Sequence, residues 1–399
     1  DWHRHYRLRT DRVKTLGGVA ISAPDQHRIL ADLGCKLESE ADGFAVEAPS
    51  WRADIEGEAD LVEEILRIRG YEEIPVVPLT RDSVLPKAAL TPTQRRAVQV
   101  RRTLASRGLV EAVTFSFLPR AQAELFGGGG EALTLANPIS ADLDVMRPSI
   151  LPNLLTAAQR NADRGFANGA LFEIGPFYKN DEPEGQIATA TGLRSGSTGT
   201  KRWDDPGRPV DALLAKADAL AALNAAGVAA ESLQVTADAP AWYHPGRSGV
   251  LKQGNKPLAQ FGEIHPGILA AMGVTGPAVG FEVFLDAVPA PRARLGKARP
   301  LLVLSPFQPV ERDFAFVVDE SVAAEMLLRA ARGVDRKLVA DVRLFDVYRG
   351  KGIDPGKKSL AVTVVLQPVE ATMTDEAIEA FSQKLIAAVE KATAGTLRK

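Results

Sequence analysis

The stretch from Asp54 to Gly70, DIEGEADLVEEILRIRG, is the strongest constraint on how this chain folds. Leu61, Val62, Ile65, Leu66 and Ile68 fall at helical spacing and form an apolar stripe that would face a core. Asp60, Glu63 and Glu64 stand at i, i+3 and i+4, so the same helix brings their carboxylates close together near one face. Asp54 lies on or just before the first turn, and Gly70 offers a left-handed cap at the other end. Carboxylates this close repel one another. The helix dipole and ordinary solvation offset part of the repulsion. A hard divalent cation would offset it too, since magnesium takes oxygen ligands, keeps several waters and often needs only one or two direct carboxylates. Spacing alone leaves both explanations open.

The flanks extend the pattern. Pro49 to Pro75 reads PSWRADIEGEADLVEEILRIRGYEEIP, which is Pro-Ser-x-Arg-x-Asp, Asp-Leu-x-Glu-Glu, Arg-x-x-Gly-Tyr and Ile-Pro in order. This window resembles the B5 domain of the phenylalanyl-tRNA synthetase beta subunit family. The resemblance implies a small α+β module of winged-helix character. It also implies that Asp54, Asp60, Glu63 and Glu64 hold a magnesium ion at an interface with an alpha subunit.

A length of 399 residues predicts two or three domains, and 45% hydrophobic with 25% charged residues is the composition of a globular protein. The net charge of -2 gives no global attraction to nucleic acid, so an RNA site has to be a local basic patch. The single cysteine, Cys35, rules out an internal disulfide framework and fits a reducing cytoplasm; its apolar setting predicts an inert core thiol. No apolar run approaches the ~20 residues that span a bilayer, so no membrane partner is expected. The opening DWHRHYRLRTDRV has neither an initiator Met nor a signal-peptide core, and predicts a fragment that lacks an amino-terminal portion.

Residues 1–80 form the first predicted domain. Its elements are a helix from Asp25 to Leu33, a strand from Gly43 to Ala48 and the acidic helix, with a proline-rich linker from Pro75 to Pro86. The second domain is placed at 85–300. Thr91-Pro92-Thr93-Gln94 has capping-box spacing and starts a helix that runs to about Arg107. Leu109 to Phe117 (LVEAVTFSF) reads as a strand. Then come Asn137-Pro138-Ile139-Ser140, Met146-Arg147-Pro148-Ser149, Leu171-Phe172-Glu173-Ile174-Gly175, Trp242-Tyr243-His244-Pro245-Gly246-Arg247-Ser248 and Gly262-Glu263-Ile264-His265-Pro266. In order and spacing these resemble the catalytic-like core of the same family. That implies a class II synthetase-like antiparallel sheet with flanking helices and no active site. The loss is legible: where class II sites place an arginine two residues before a glutamate, this chain has Leu171 before Glu173, and an aliphatic side chain cannot clamp a phosphate.

The third domain is placed at 304–399. Strand and helix patterns alternate as β-α-β-β-α, with a last short strand at Thr396 to Arg398, which is a ferredoxin-like unit. Arg312-Asp313, Leu344-Phe345-Asp346-Val347-Tyr348, Lys357-Lys358-Ser359-Leu360 and Leu397-Arg398 resemble the family's anticodon-binding domain. Arg349, Lys351, Lys357 and Lys358 flank a glycine-containing loop. They read either as solvated hairpin charges or as contacts to an RNA backbone. Tyr348 is expected in the core rather than stacked on a base.

Taken together, the resemblance implies a non-catalytic beta subunit of an α2β2 phenylalanine–tRNA ligase. Such a chain would support ATP-dependent charging of the phenylalanine tRNA, with ATP bound by the alpha subunit. The alternative is a stand-alone RNA-binding or scaffolding protein that retains synthetase folds.

Overall fold

The computed structural model describes residues 2–78, 88–199, 202–290 and 304–398. The chain divides into two compact units, Asp1–Lys87 and Ala88–Lys399.

The first unit runs β1 (Arg4–Arg9), α1 (Arg12–Gly17), α2 (Ala23–Asp32), β2 (Lys36–Ser39), β3 (Gly43–Ala48) and α3 (Glu58–Arg69). Its antiparallel sheet has the order β1-β3-β2. Ser22 caps α2 by accepting from the Asp25 amide, with Pro24 in the first turn, as serine and proline at these positions should. The apolar stripe Leu61, Val62, Ile65 and Leu66 of α3 is buried with Leu8, Leu30 and Val46 in one core. Ile68, expected in that stripe, is instead half exposed at 49%. Gly17 lets α1 close onto α3, because a Cβ there would meet Leu66 Cδ1 at 2.5 Å. Gly70 has the positive φ expected of it, but at φ +114°, ψ +127° it lies outside the left-handed helical basin; its amide donates to the Leu66 carbonyl and ends the helix. Cys35 is buried in this core, and burial pushes its thiol up. Of the expected Pro75–Pro86 linker, residues 79–86 lie outside the described residues.

The second unit begins with α4 (Pro92–Ser106), where Thr91 and Gln94 form the complete reciprocal capping box. There follow β4 (Val110–Glu111), β5 (Phe117–Leu118), α5 (Arg120–Leu125), β6 (Val145–Met146), α6 (Leu151–Ala162), β7 (Gly169–Tyr178), β8 (Gln186–Ser195), α7 (Ala212–Ala225), β9 (Gln234–Thr236), β10 (Tyr243–Gln253), β11 (Lys256–Ile264), α8 (Pro266–Ala271) and β12 (Ala278–Phe284). A seven-stranded sheet has the order β4-β7-β8-β12-β11-β10-β9. It is antiparallel except for the β4–β7 pair. Phe172, Phe281 and Val283 join α4 and α7 in one core, while Leu193, Ile264 and Ala278 join α6 in another.

The strand expected over Leu109–Phe117 is broken into β4 and β5. The ladder to β7 ends with the Ala112 amide on the Phe172 carbonyl at 2.7 Å, because the next inward donors, the Thr114 amide and hydroxyl, turn to the Glu173 carboxylate, meeting Oε2 at 3.2 and 2.6 Å. The segment then crosses to pair with β6.

The rest of this unit is β13 (Val310–Asp319), α9 (Ala324–Gly333), β14 (Val339–Tyr348), β15 (Lys357–Leu366), α10 (Asp375–Thr393) and β16 (Thr396–Leu397). The sheet order β14-β15-β13-β16, antiparallel throughout, is that of a ferredoxin-like unit. Phe316, Val362, Leu385 and Val389 fill its own core. Thr374 caps α10 by accepting from the Ala377 amide.

Candidate functional site

The acidic helix and its approach turn are pinned from two sides. Arg4 donates to the carbonyls of Arg52, Ala53 and Ile55 at 2.7, 2.9 and 3.2 Å, fixing the turn that carries Asp54. Arg9 grips Glu58 with its amide, Nε and Nη2, which draws the Glu58 carboxyl down to about 2.

The expected ligands are divided by an arginine. Arg52 holds both oxygens of Asp54 through Nε and Nη2, and its Nη1 reaches Glu64 Oε2 at 2.8 Å. Arg67 takes the remaining oxygen of Glu64 with Nε at 3.2 Å and shares Oε2. Hydrogen bonds from Arg52 lower Asp54 to about 2; Arg52 and then Arg67 lower the buried Glu64 to about 2. Asp60 Oδ2 accepts from the Glu56 amide at 2.8 Å, and its other oxygen has no partner among the described residues. Glu63 is exposed and makes no side-chain hydrogen bond among the described residues.

The repulsion foreseen among these carboxylates is therefore offset at Asp54 and Glu64 by the guanidinium groups of Arg52 and Arg67. Among the described residues no cluster of three or more His, Cys, Asp or Glu side chains is gathered to hold a metal ion. Asp54, Asp60, Glu63 and Glu64 do not fit magnesium as one ligand set in this arrangement. Arg52 is the residue the sequence reading missed. Its signal was present in the Pro-Ser-x-Arg-x-Asp spacing, which sets an arginine two residues before Asp54.

The loop between β14 and β15 brings the four expected RNA-contacting cations to one end of the ferredoxin-like sheet. Three are engaged internally: Arg349 with Glu320 at 2.7 Å, Lys357 with Asp354 at 3.0 Å and Lys358 with the Glu320 carbonyl at 2.7 Å. The Lys351 ammonium has no such partner among the described residues. Tyr348 is not in the core as expected. Its hydroxyl donates to the Lys351 carbonyl, and the Arg398 guanidinium lies 5.2 Å from its ring centre.

In the seven-stranded sheet, Glu173 is spent on structure. Arg147, 1% exposed, pairs with Glu173 at 2.8 Å and donates to the Pro176 carbonyl and the Thr114 hydroxyl. Gly175 makes room for it, since a Cβ there would lie 2.8 Å from Arg147 Nη2. Beside this pair, the buried Glu282 accepts from Ser149, Tyr243 and Gln260, and burial pushes its carboxyl up. Asp218, also buried, joins Arg107 and Arg194 and ties α4, α7 and β8 together.

These modules define a protein built from aminoacyl-tRNA synthetase parts. Sequence models match the tRNA synthetase B5 domain at residues 6–71, the phenylalanyl tRNA synthetase beta chain CLM domain at 60–285, and the ferredoxin-fold anticodon binding domain at 305–398. The second of these covers more than half the chain, and the chain belongs to the phenylalanyl-tRNA synthetase beta chain family. It is 57% identical over 398 residues to the phenylalanine–tRNA ligase beta subunit of Paramagnetospirillum magneticum, covering 100% of this chain and 50% of that protein. The beta subunit of Rhodospirillum rubrum is 54% identical over the same share of each chain. The chain thus spans about half the length of the curated relatives it matches. Among solved structures, a pyrrolysyl-tRNA synthetase from Desulfitobacterium hafniense aligns with a TM-score of 0.38 and 17% identity over 49% of this chain and 67% of its own, too loosely to define the fold. No helix among the described residues is long and apolar enough to cross a membrane.

Proposed function

We propose that this chain acts as the non-catalytic beta part of a phenylalanine–tRNA ligase, in an α2β2 assembly whose alpha subunit binds ATP and carries out charging in the cytoplasm. The observation that carries this reading is the run of three synthetase modules in one order along the chain. Domain limits of 1–80, 85–300 and 304–399, a winged-helix character for the first domain and a class II-like character for the second belong to the same proposal. So does the absence of chemistry in the second domain, where Leu171 stands in place of a phosphate-binding arginine and Glu173 is consumed by Arg147.

An alpha subunit needs an apolar landing surface. Val113, Phe115 and Ile139 are 91%, 65% and 84% exposed, and Val113 and Phe115 border a hollow of about 690 Å³. Apolar exposure of this kind marks interaction sites. The phenylalanine tRNA would meet the third domain, where Arg349, Lys351, Lys357 and Lys358 face phosphates and Tyr348 offers a ring for stacking. Magnesium would be held by Asp60 and Glu63, with Asp54 joining only if Arg52 is displaced and Glu64 only if Arg52 and Arg67 both are. A bound ion would supply a positive charge between the acidic helix and a partner surface.

The test is phenylalanine charging of its tRNA by the alpha subunit, with and without this chain, and with a full-length relative as control. Charging that depends on this chain supports the reading. If the full-length relative supports charging and this chain neither supports it nor binds alpha, the stand-alone RNA-binding reading takes its place.

A further inference from the structure

The face of the seven-stranded sheet that carries Glu173 and Glu282 is only partly used by the Arg147–Glu173 pair and the hydrogen bonds to Glu282. Gln260 faces Glu282 across the β11–β12 ladder, Glu282 faces Thr191, and Thr191 faces Glu173, so all four share one face. Continuing along the strands at period two, Phe284 and Phe177 lie on the same face. There the strand ends enclose a cavity of about 560 Å³, lined by Phe177, Phe284 and Gln260 among others. That volume suits a small ligand.

The lining has two characters. Phe177 and Phe284 stand 6.0 Å apart between ring centres with planes inclined at 59°, a pair of faces against which a third ring can pack. Gln260 is 8% exposed, and its Nε2 is committed to Glu282. At the rim, Lys179 and Lys256 are exposed and have no ion-pair partner among the described residues, whereas Lys252 is neutralised by Asp238.

We infer that this cavity binds a small molecule with an aromatic body and one anionic group, its ring against Phe177 and Phe284 and its charge at Lys179 and Lys256. The inference does not depend on the proposed ligase role, because it concerns a face that the buried pairs leave open.

The experiment is ligand-observed saturation-transfer NMR on the full chain, with phenylacetate as the anionic probe and phenylacetamide as its neutral counterpart. Phenylacetate is expected to receive saturation from the protein. The double variant Lys179→Glu, Lys256→Glu is expected to weaken phenylacetate about tenfold and to leave phenylacetamide within about twofold. Ala287→Trp, which fills the cavity from its lining, is expected to abolish transfer to both. The lysines are at the surface, so the double variant stays informative even if Ala287→Trp unfolds. Absence of transfer to phenylacetate, or an unchanged phenylacetate affinity in the double variant, overturns the inference.

Discussion

Arg52 Nη1 lies 2.8 Å from Glu64 Oε2, and the same guanidinium holds both oxygens of Asp54. One side chain thus links the approach turn to the buried face of the acidic helix, and it occupies carboxylates that would otherwise be open to a metal ion.

Arg52→Met should leave Glu64 with Arg67 as its one counter-charge among the described residues and destabilise the first unit by about 2–3 kcal/mol, the cost of stripping a partner from a largely buried charge. Urea unfolding, with hydrogen exchange of amides in residues 58–69 as the local reporter, measures this. Wild-type stability in the variant would show that the contact is only a surface pair.

The pH dependence follows from the depressed carboxylates. Glu64 and Glu58 sit at about 2, below their ordinary 4.5. Their stabilisation is present above the ordinary value and is lost as pH falls from about 4.5 toward about 2. Stability of the first unit should decline over that window, and Glu64→Gln should flatten the decline. Equal slopes for both proteins would contradict the assignment.

Magnesium should raise the melting temperature of the chain through Asp60 and Glu63. A hundredfold excess over Kd corresponds to about 2.7 kcal/mol of added stability. Asp60→Ala with Glu63→Ala should remove the shift, and Arg52→Met should enlarge it by freeing Asp54, while Glu64 stays with Arg67. A shift that survives the double alanine variant would place the ion elsewhere.

Arg147→Met should cost about 3–5 kcal/mol in the second unit, because it strands Glu173 in the sheet interior. Adding Glu173→Leu should recover part of the loss, since replacing a buried pair with apolar groups is far less costly than halving it. A double-mutant cycle by chemical denaturation reads the coupling.

Lys351→Ala should reduce the salt dependence of tRNA binding by about one phosphate contact, a change of roughly 0.7–0.9 in the slope of log K against log salt. Arg349→Ala should do less, since Arg349 is already engaged by Glu320. Filter binding over a salt series tests both. Identical slopes for the three proteins would return the loop to a solvated hairpin.

What the sequence made legible was local. The apolar stripe of α3, the Thr91–Gln94 capping box and the period-two strands of the third domain are set by residues within a few positions of one another. What it hid was held by partners far along the chain. The Leu109–Phe117 strand breaks because Thr114 bonds to Glu173, and the acidic cluster is neutralised by Arg52 across the turn to Glu64. Tyr348 looked apolar enough for the core, yet it lies beside Arg398, which is brought near only when β16 pairs with β13. The four expected metal ligands were readable as a motif, but the unequal spending of their oxygens was not.

Association with the alpha subunit tests the central claim most directly. Sedimentation of this chain mixed with a phenylalanyl-tRNA synthetase alpha subunit should give a species heavier than either component, and Phe115→Asp should weaken it. Two independent boundaries at all concentrations, with tRNA binding intact, would contradict the beta-subunit account and favour a stand-alone RNA-binding protein.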